Sequence, residues 1–477
     1  MESALVEGRE GPAIFKFAVP ILLGNLLQNL YGFVDAAVVG QILGMDALAA
    51  VGATGGISFM VLGFCTGISN GFSAVLAKYY GSRDYEGFYA IMKHIIVIAS
   101  TAAGLMLLIM PTNCMAMLKF FETPEVLLHQ SYSYMVILLL GIPITLFYNI
   151  IAGFIYAIGD SKTPLLVLFT TSVLHIFFSS CFVLVFHTGV EGAAYGTVFS
   201  QLLAGMLCFF LSRKKLPRHT VPMRTVKIQR NMLEDLCKNG FSMGFQTAIT
   251  GIGLLILQKS INQLGTAAVA ALTTGGKIIS IFFCVFDSLG STLATFAGQN
   301  IGAKKPERIK RGVKICVGFA FCYYLFVVLM IFLGGRGMLR IFMAEEEIEI
   351  VGLAYLHMRI SAVSGVFVVV LNLLRFTVQG AGFAQKAIFA GVTELFARVF
   401  VALWAIPRLG FLGSCFGHPV AWCVASSYVL IVYTRLSRKD FYITPAVCRK
   451  NVSVNSSPGL RRVEKSATTS QKAEFLP

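Results

Sequence analysis

The chain has 477 residues, of which 56% are hydrophobic and only 13% charged, with a mean hydropathy of +0.76 and a formal charge of +16. A soluble domain carries about 25% charged residues, so this chain cannot cover a water-facing surface of its size, and a compact soluble enzyme is excluded. Eleven cysteines lie scattered, mostly in apolar stretches such as those around Cys181, Cys208, Cys284 and Cys322; with no C-x-x-C pair, they read as small buried hydrophobes rather than a disulfide or zinc framework.

In chain order, the polar N-terminus (Glu2, Glu7, Glu10) leads into an apolar run too long for the core of a cleavable signal peptide. From Ile14 to Thr434 such runs recur, each long enough to cross a bilayer, for which about 20 helical residues suffice. They predict twelve helices, over 13–41, 48–77, 92–113, 129–157, 164–187, 190–212, 239–262, 267–298, 313–334, 350–380, 386–408 and 411–434. Basic residues set the orientation, because lysine and arginine accumulate in cytoplasmic loops. With the N-terminus inside, 30 of the 39 basic residues are cytoplasmic, five lie outside (Lys119, Lys259, Arg336, Arg340, Arg408) and four fall within spans (Lys277, Arg359, Arg375, Arg398). The chain is therefore expected to be a multi-pass protein of the cytoplasmic (inner) membrane with both termini cytoplasmic. The net charge then reflects topology and a lipid bilayer, and no nucleic-acid partner is expected.

The expected organisation is an N-terminal six-helix lobe (1–212), a basic cytoplasmic linker (213–238), a C-terminal six-helix lobe (239–434) and a polar, disordered tail (435–477), with the sequons at Asn451 and Asn455 on the cytoplasmic side. The lobes are repeats. Gly44 through Ala50 answers Gly265 through Ala271, Ala77 through Arg83 answers Gly298 through Lys304, and Gly189 through Gly196 answers Gly410 through Gly417, all at an offset of 221. Asn149 and Gly159 answer Asn372 and Gly382 at 223. Six spans is an even number, so both copies enter from the same side and are related by an axis along the membrane normal. Two such lobes enclose a cavity and rock about it, which is the plan of an alternating-access transporter.

Polar residues inside spans cost free energy unless they face a cavity or a partner. Asn25, Gln28, Gly32 and Asp35 fall at i, i+3, i+7 and i+10, one stripe of the first helix, with Tyr31 at its edge. Asp35 is the first candidate for carrying a cation or proton. Ser172, His175 and Ser179 share a face of the fifth span. Thr145 with Asn149, and Thr197 with Gln201, form further polar pairs. In the eighth span Lys277, Ser280, Cys284 and Asp287 lie along roughly one face, with Lys277 and Asp287 too far apart to pair directly. Arg375 has no evident partner, and Glu394 and Arg398 stand at i, i+4, the favourable order for an ion pair within one helix. His94, His357 and His418 are isolated and no spacing suggests a metal. No phosphate-binding G-x-x-x-x-G-K-[ST] motif occurs, so neither ATP nor any bound cofactor is expected.

The chain resembles the multidrug and toxic compound extrusion (MATE) transporters over about residues 10–435. The resemblance rests on Pro20 through Gly40, Gly141-Ile142-Pro143 with Asn149, Gly159 through Pro164, Gly189 through Thr197, Gln299 through Ala303, Glu394 with Arg398, and Pro419 through Trp422, all in order. It implies an all-α fold of twelve membrane helices in two lobes and secondary active export of small-molecule organic cations in exchange for H⁺ or Na⁺, by a chain expected to act as a monomer. It also assigns coupling to Asp35, His175 and Ser179, and cavity contacts to Gln28, Tyr31, Asn149, Thr197, Gln201 and Gln246, with Lys277 a further candidate. Many members carry Asn and Asp where this chain has His175 and Ser179, which weakens a sodium site; a histidine near Asp35 would instead share a proton. Gln246, and valine at 369 and 370, stand where some members place second-lobe acids. Flippases of lipid-linked oligosaccharides or polysaccharides share the twelve-helix plan and form the alternative. They are expected to line the cavity with several cations.

Overall fold

The computed structural model describes residues 5–121, 123–213, 215–216, 229–340 and 348–441, and the side chains of 29–38 and of Met45 lie outside that description. Residues up to Asp440 form one compact unit, and Phe441–Pro477 are a second. Most of the linker and of the tail, with both sequons, is outside the described residues.

The described chain is helical, with no strand. In order it forms α1 Glu10–Leu43, α2 Met45–Gly81, α3 Tyr85–Ile109, α4 Cys114–Phe120, α5 Glu125–Leu140, α6 Ile142–Ala157, α7 Lys162–Leu184 and α8 Val190–Ser212. There follow α9 Arg230–Asn262, α10 Thr266–Gly302, α11 Pro306–Arg340, α12 Ile348–Val378, α13 Ala384–Phe400, α14 Ile406–Leu409, α15 Phe411–Cys415 and α16 Gly417–Arg438. Ten described helices are long and apolar enough to cross a bilayer, and the pair α5 and α6, bent by 47° at Gly141, makes an eleventh. One of the ten is a run of 62 residues, Ile348–Leu409. At about 1.5 Å per residue it would be three bilayers long if straight. It is not straight: Gly382, with φ 90° and ψ 16°, breaks it inside a π-turn over Gln379–Phe383. Counting α12 and α13 separately gives the twelve expected spans.

The repeat is visible in the backbone. Gly44 and Gly265 have φ of 89° and 95°, Arg83 and Lys304 58° and 57°, Gly159 and Gly382 87° and 90°, and Gly189 and Gly410 62° and 55°. Each pair stands at the offset read from sequence. At Gly189 and Gly410 the ψ values of −145° and −130° add a conformation that side-chain-bearing residues avoid, so the chain turns between spans where glycine permits it. Helix neighbours repeat as well. α1 packs on α7, α2 on α6, and α7 and α6 on α8; correspondingly α9 packs on α13, α10 on α12, and α13 and α12 on α16.

The lobes meet through small residues, as membrane helices do when backbones must approach closely. A Cβ on Gly67 or Gly71 of α2 would lie 2.6 Å from the Met243 or Asn239 carbonyl oxygen of α9. At the end of the bundle that carries the basic turns the contact is tighter. A Cβ on Gly81 would lie 2.0 Å from the Gln299 carbonyl oxygen, and one on Gly302 1.9 Å from that of Lys78. Gln299 Nε2 donates to the Ala157 carbonyl at 2.7 Å, and Asn300 Nδ2 to that of Leu5 at 3.1 Å. Arg308 Nη1 reaches the Gly8 carbonyl at 2.8 Å, and Arg311 pairs with Glu10 at 3.0 Å. The N-terminal segment thus clips the first lobe to the second, and the basic end is closed.

Asp160 anchors the start of α7 at this end. Its Oδ1 accepts the backbone N–H groups of Lys162 (3.0 Å) and Thr163 (3.1 Å), and its Oδ2 takes Lys215 Nζ at 2.6 Å. Burial works to raise its pKa, but the bonds from Lys215 and Thr163 outweigh that and hold the carboxyl below its ordinary value. A depressed carboxyl stabilises the fold above the unfolded value, near pH 4, and loses that contribution as pH falls through the lower folded value. Asp160→Ala is expected to cost about 1 kcal/mol at neutral pH, as capping residues do, and to shed this cost as pH falls from the unfolded value through the lower folded one. Unfolding midpoints across that range check it.

Candidate transport cavities

Two polar cavities lie inside the bundle. The first, about 170 Å³, sits between the lobes and is lined by Asn25, Gln28, Asn70 and Asn149 from the first lobe, facing Thr295 and Phe376 of the second. The i, i+3 spacing on α1 turns Asn25 and Gln28 to the same side. Asn25 Nδ2 donates to Ser288 Oγ of α10 at 3.0 Å, a further tie across the lobes. Asn149 Nδ2 reaches Thr66 Oγ1 at 3.5 Å. Amides can both donate and accept, so the cavity can hydrogen-bond a polar guest of either sense.

The remaining first-lobe candidates separate into two clusters. His175 and Ser179 are buried on α7 and close on Thr197 of α8: His175 Nε2 is 3.2 Å from Thr197 Oγ1 and 3.1 Å from Ser179 Oγ. Thr197 Oγ1 donates to the Ala193 carbonyl at 3.1 Å, which leaves its lone pairs for the ring, while the Ser179 hydroxyl can donate or accept. The helices can approach this closely because position 196 is glycine; a Cβ there would lie 2.2 Å from Ser179 Oγ. Gln201 lies one turn further along α8 from Thr197, where its Oε1 accepts from Thr145 Oγ1 of α6. Tyr31 and Asp35 lie outside the described side chains.

The second cavity, about 380 Å³, lies within the second lobe. Along its wall runs a bonded chain of five side chains. Asn372 Nδ2 donates to Asp287 Oδ1 at 2.6 Å, and Arg375 Nη2 to Asn372 Oδ1 at 2.9 Å. Arg375 Nη1 reaches Glu394 Oε1 at 3.1 Å, and Arg398 Nη2 reaches Glu394 Oε2 at 3.0 Å. Glu394 and Arg398 are each 2% exposed. Arg398 is only half used, since its Nε and Nη1 are buried with no hydrogen-bond partner. Leaving such donors unmet costs about 1–3 kcal/mol. His357, also with an unpartnered Nδ1, and His418 line the same cavity.

Arg375 therefore has a partner, and the expected Glu394–Arg398 pair is part of a larger network. The signal for it was present in the spacing of Asn372 and Arg375 at i, i+3 beside Glu394 and Arg398 at i, i+4. What joins the two helical pairs is the turn at Gly382. The sequence treats His357 and His418 as isolated, but the fold brings both to one cavity. Gln246 is buried away from both cavities, with its Oε1 accepting from Gln379 Nε2 at the π-turn. Lys277 is exposed on α10 and is absent from the lining of either cavity. Among the described residues, no cluster of three or more His, Cys, Asp or Glu gathers as a metal would require.

A duplicated bundle of membrane helices with a polar cavity between its lobes is the architecture of a transporter, not of an enzyme. The family model described as MatE matches twice, over residues 20–181 and 243–404, and the chain belongs to the MATE family of multidrug efflux transporters. The two matched stretches stand 223 residues apart, the offset of Gly159 and Gly382. Among relatives, the chain is 29% identical over 347 residues to the probable multidrug resistance protein YpnP of Bacillus subtilis, covering 71% of this chain and 76% of that one. It is 24% identical over 449 residues to the probable multidrug resistance protein YoeA of the same organism, covering 91% and 95%. Its fold is similar to that of a multidrug resistance MATE family transporter solved in an outward-facing conformation, with a TM-score of 0.85 at 21% identity, over 93% of this chain and 99% of that one.

Proposed function

We propose that this protein is a secondary antiporter of the cytoplasmic membrane, with both termini cytoplasmic, that exports amphipathic organic cations in exchange for H⁺ or Na⁺ and works as a single chain. The observation that carries the reading is the amide-lined cavity between two repeated lobes that are sealed together at the basic end. With that end cytoplasmic by the distribution of lysine and arginine, the sealed state is the one that releases cargo outward. Reopening it requires the Gly81 and Gly302 contacts to part, and the imported cation drives the return.

Coupling is assigned to Asp35 with His175 and Ser179. Support comes from the level of the His175 cluster. α1 meets α7 where a Cβ on Gly24 would lie 3.6 Å from the Leu168 side chain, and it meets α8 where Val39 packs with Ala193 and Ala194. The His175–Ser179–Thr197 cluster falls between those two levels, as Asp35 does along α1. An imidazole there has a nitrogen that can take a proton and offers sodium no hard oxygen ligand, which favours H⁺. The lipid-linked alternative calls for surplus positive charge, and the two arginines of the second cavity stand with two carboxylates.

The test is ethidium efflux from proteoliposomes under an imposed proton gradient. Asp35→Asn is expected to reduce efflux to the gradient-free level, and His175→Asn to flatten its pH dependence. Undiminished antiport by Asp35→Asn rejects the assignment.

A further inference from the structure

We propose that the second-lobe cavity is a recognition site for zwitterionic cargo, holding a carboxylate on Arg398 and a cationic nitrogen on Asp287. This rests on the export reading only in taking the cavity as a place for cargo. Arg398 lines the cavity and is fixed by Glu394 through Nη2, so the guanidinium cannot swing away, and its N–H groups at Nε and Nη1 are buried there without an acceptor. Nε and Nη1 lie on opposite edges of the guanidinium, so an incoming carboxylate takes one of them in a charge-assisted bond, with the second hydrogen of Nη2 completing the fork. At the far end of the bonded chain, Asp287 also lines the cavity, exposed to it, and is held by the Asn372 amide rather than by a guanidinium directly. Its charge is therefore less fully answered than that of Glu394, whose two oxygens each receive an arginine.

The charges decide the ligand class. Arg375 and Arg398 stand with Asp287 and Glu394, so the cluster is formally neutral. A guest with one net charge would leave one pole uncompensated, whereas a zwitterion satisfies both. A cavity of about 380 Å³ falls within the range of small-molecule sites. Trp422, stacked on His418 at 5.4 Å between ring centroids, lines it and offers an apolar face for the body of such a compound.

Trp422 also reports occupancy. The chain has two tryptophans, and the other, Trp404, stacks on Phe400 and under Arg408 away from the cavity. In a Trp404→Phe background, energy transfer from Trp422 is read on titrating purified protein in lipid nanodiscs. The two probes are Nε-dansyl-lysine, a zwitterion, and its methyl ester, a cation of nearly the same shape. The acid is expected to bind at least tenfold tighter than the ester. Arg398→Gln should abolish that preference while leaving ester affinity within about twofold, and Asp287→Asn should weaken both. Equal affinities in the unsubstituted cavity overturn the proposal whatever the variants do. So does binding of neither probe at millimolar concentration, or an equal loss of both in Arg398→Gln with the protein still folded. No ion gradient is present, so a chain that binds the acid selectively but fails to antiport would refute the proposed function and leave this site standing.

Discussion

Alanine at Gly81 or Gly302 is expected to slow transport by about 5- to 150-fold while the protein still inserts and folds. The added Cβ would lie 2.0 Å or 1.9 Å from a backbone carbonyl oxygen of the opposing lobe, and backbone cannot rotate out of the way as a side chain can. Overpacking of this kind costs about 1–3 kcal/mol. Here the strain bears on one state of a two-state equilibrium, because it is felt only when the basic ends touch. A differential cost of that size shifts the populations by the stated factor. Efflux rate reads the consequence, and labelling of a cysteine placed at position 77 reads the cause, since Ala77 is fully buried against Gly298 of the opposing lobe in the sealed state. Faster labelling with slower efflux is expected. Unchanged labelling and wild-type efflux in both variants would mean that the seal is not part of the cycle.

Glu394→Gln is expected to destabilise the second lobe by about 3–5 kcal/mol, the cost of removing one partner from a buried ionic group. Glu394 pairs with both Arg375 and Arg398, of which Arg375 keeps a bond to Asn372 without it, and a glutamine offers one acceptor and no charge. Arg398, at 2% exposure, would then be a buried cation without a counterion. Replacing Glu394 and Arg398 together by leucine and methionine should cost far less, because the burial penalty of the ions is removed along with their attraction. Unfolding in mixed micelles, followed by tryptophan fluorescence, separates the cases. A loss below about 1 kcal/mol for Glu394→Gln would show that water reaches the guanidinium and that the network is not tightly held.

The spans were legible because a bilayer demands long apolar helices, and the glycine pairs marked where they turn. Gly159 predicted Gly382 by repeat, and both adopt positive φ. Two features were not legible. The short helix Cys114–Phe120 is apolar but far too short to register as a span, and the bend at Gly141 interrupts a predominantly apolar run. Within sites, one-helix relations could be read directly: His175 and Ser179 at i, i+4 do meet, at 3.1 Å. Relations between helices could not. Arg375 finds Glu394 only because the chain reverses at Gly382, and Gln246 is drawn toward Gln379 by the same π-turn. Spacing fixes a face; which helix lies opposite that face is settled by packing.

The central claim is that two repeated lobes exchange an organic cation for H⁺ or Na⁺. The direct measurement is ethidium efflux from proteoliposomes of the purified protein under proton and sodium gradients imposed one at a time. Efflux that follows the proton gradient, with matching proton uptake and little response to sodium at fixed pH, is the predicted result. Ethidium that stays in the vesicles under both gradients would contradict the account.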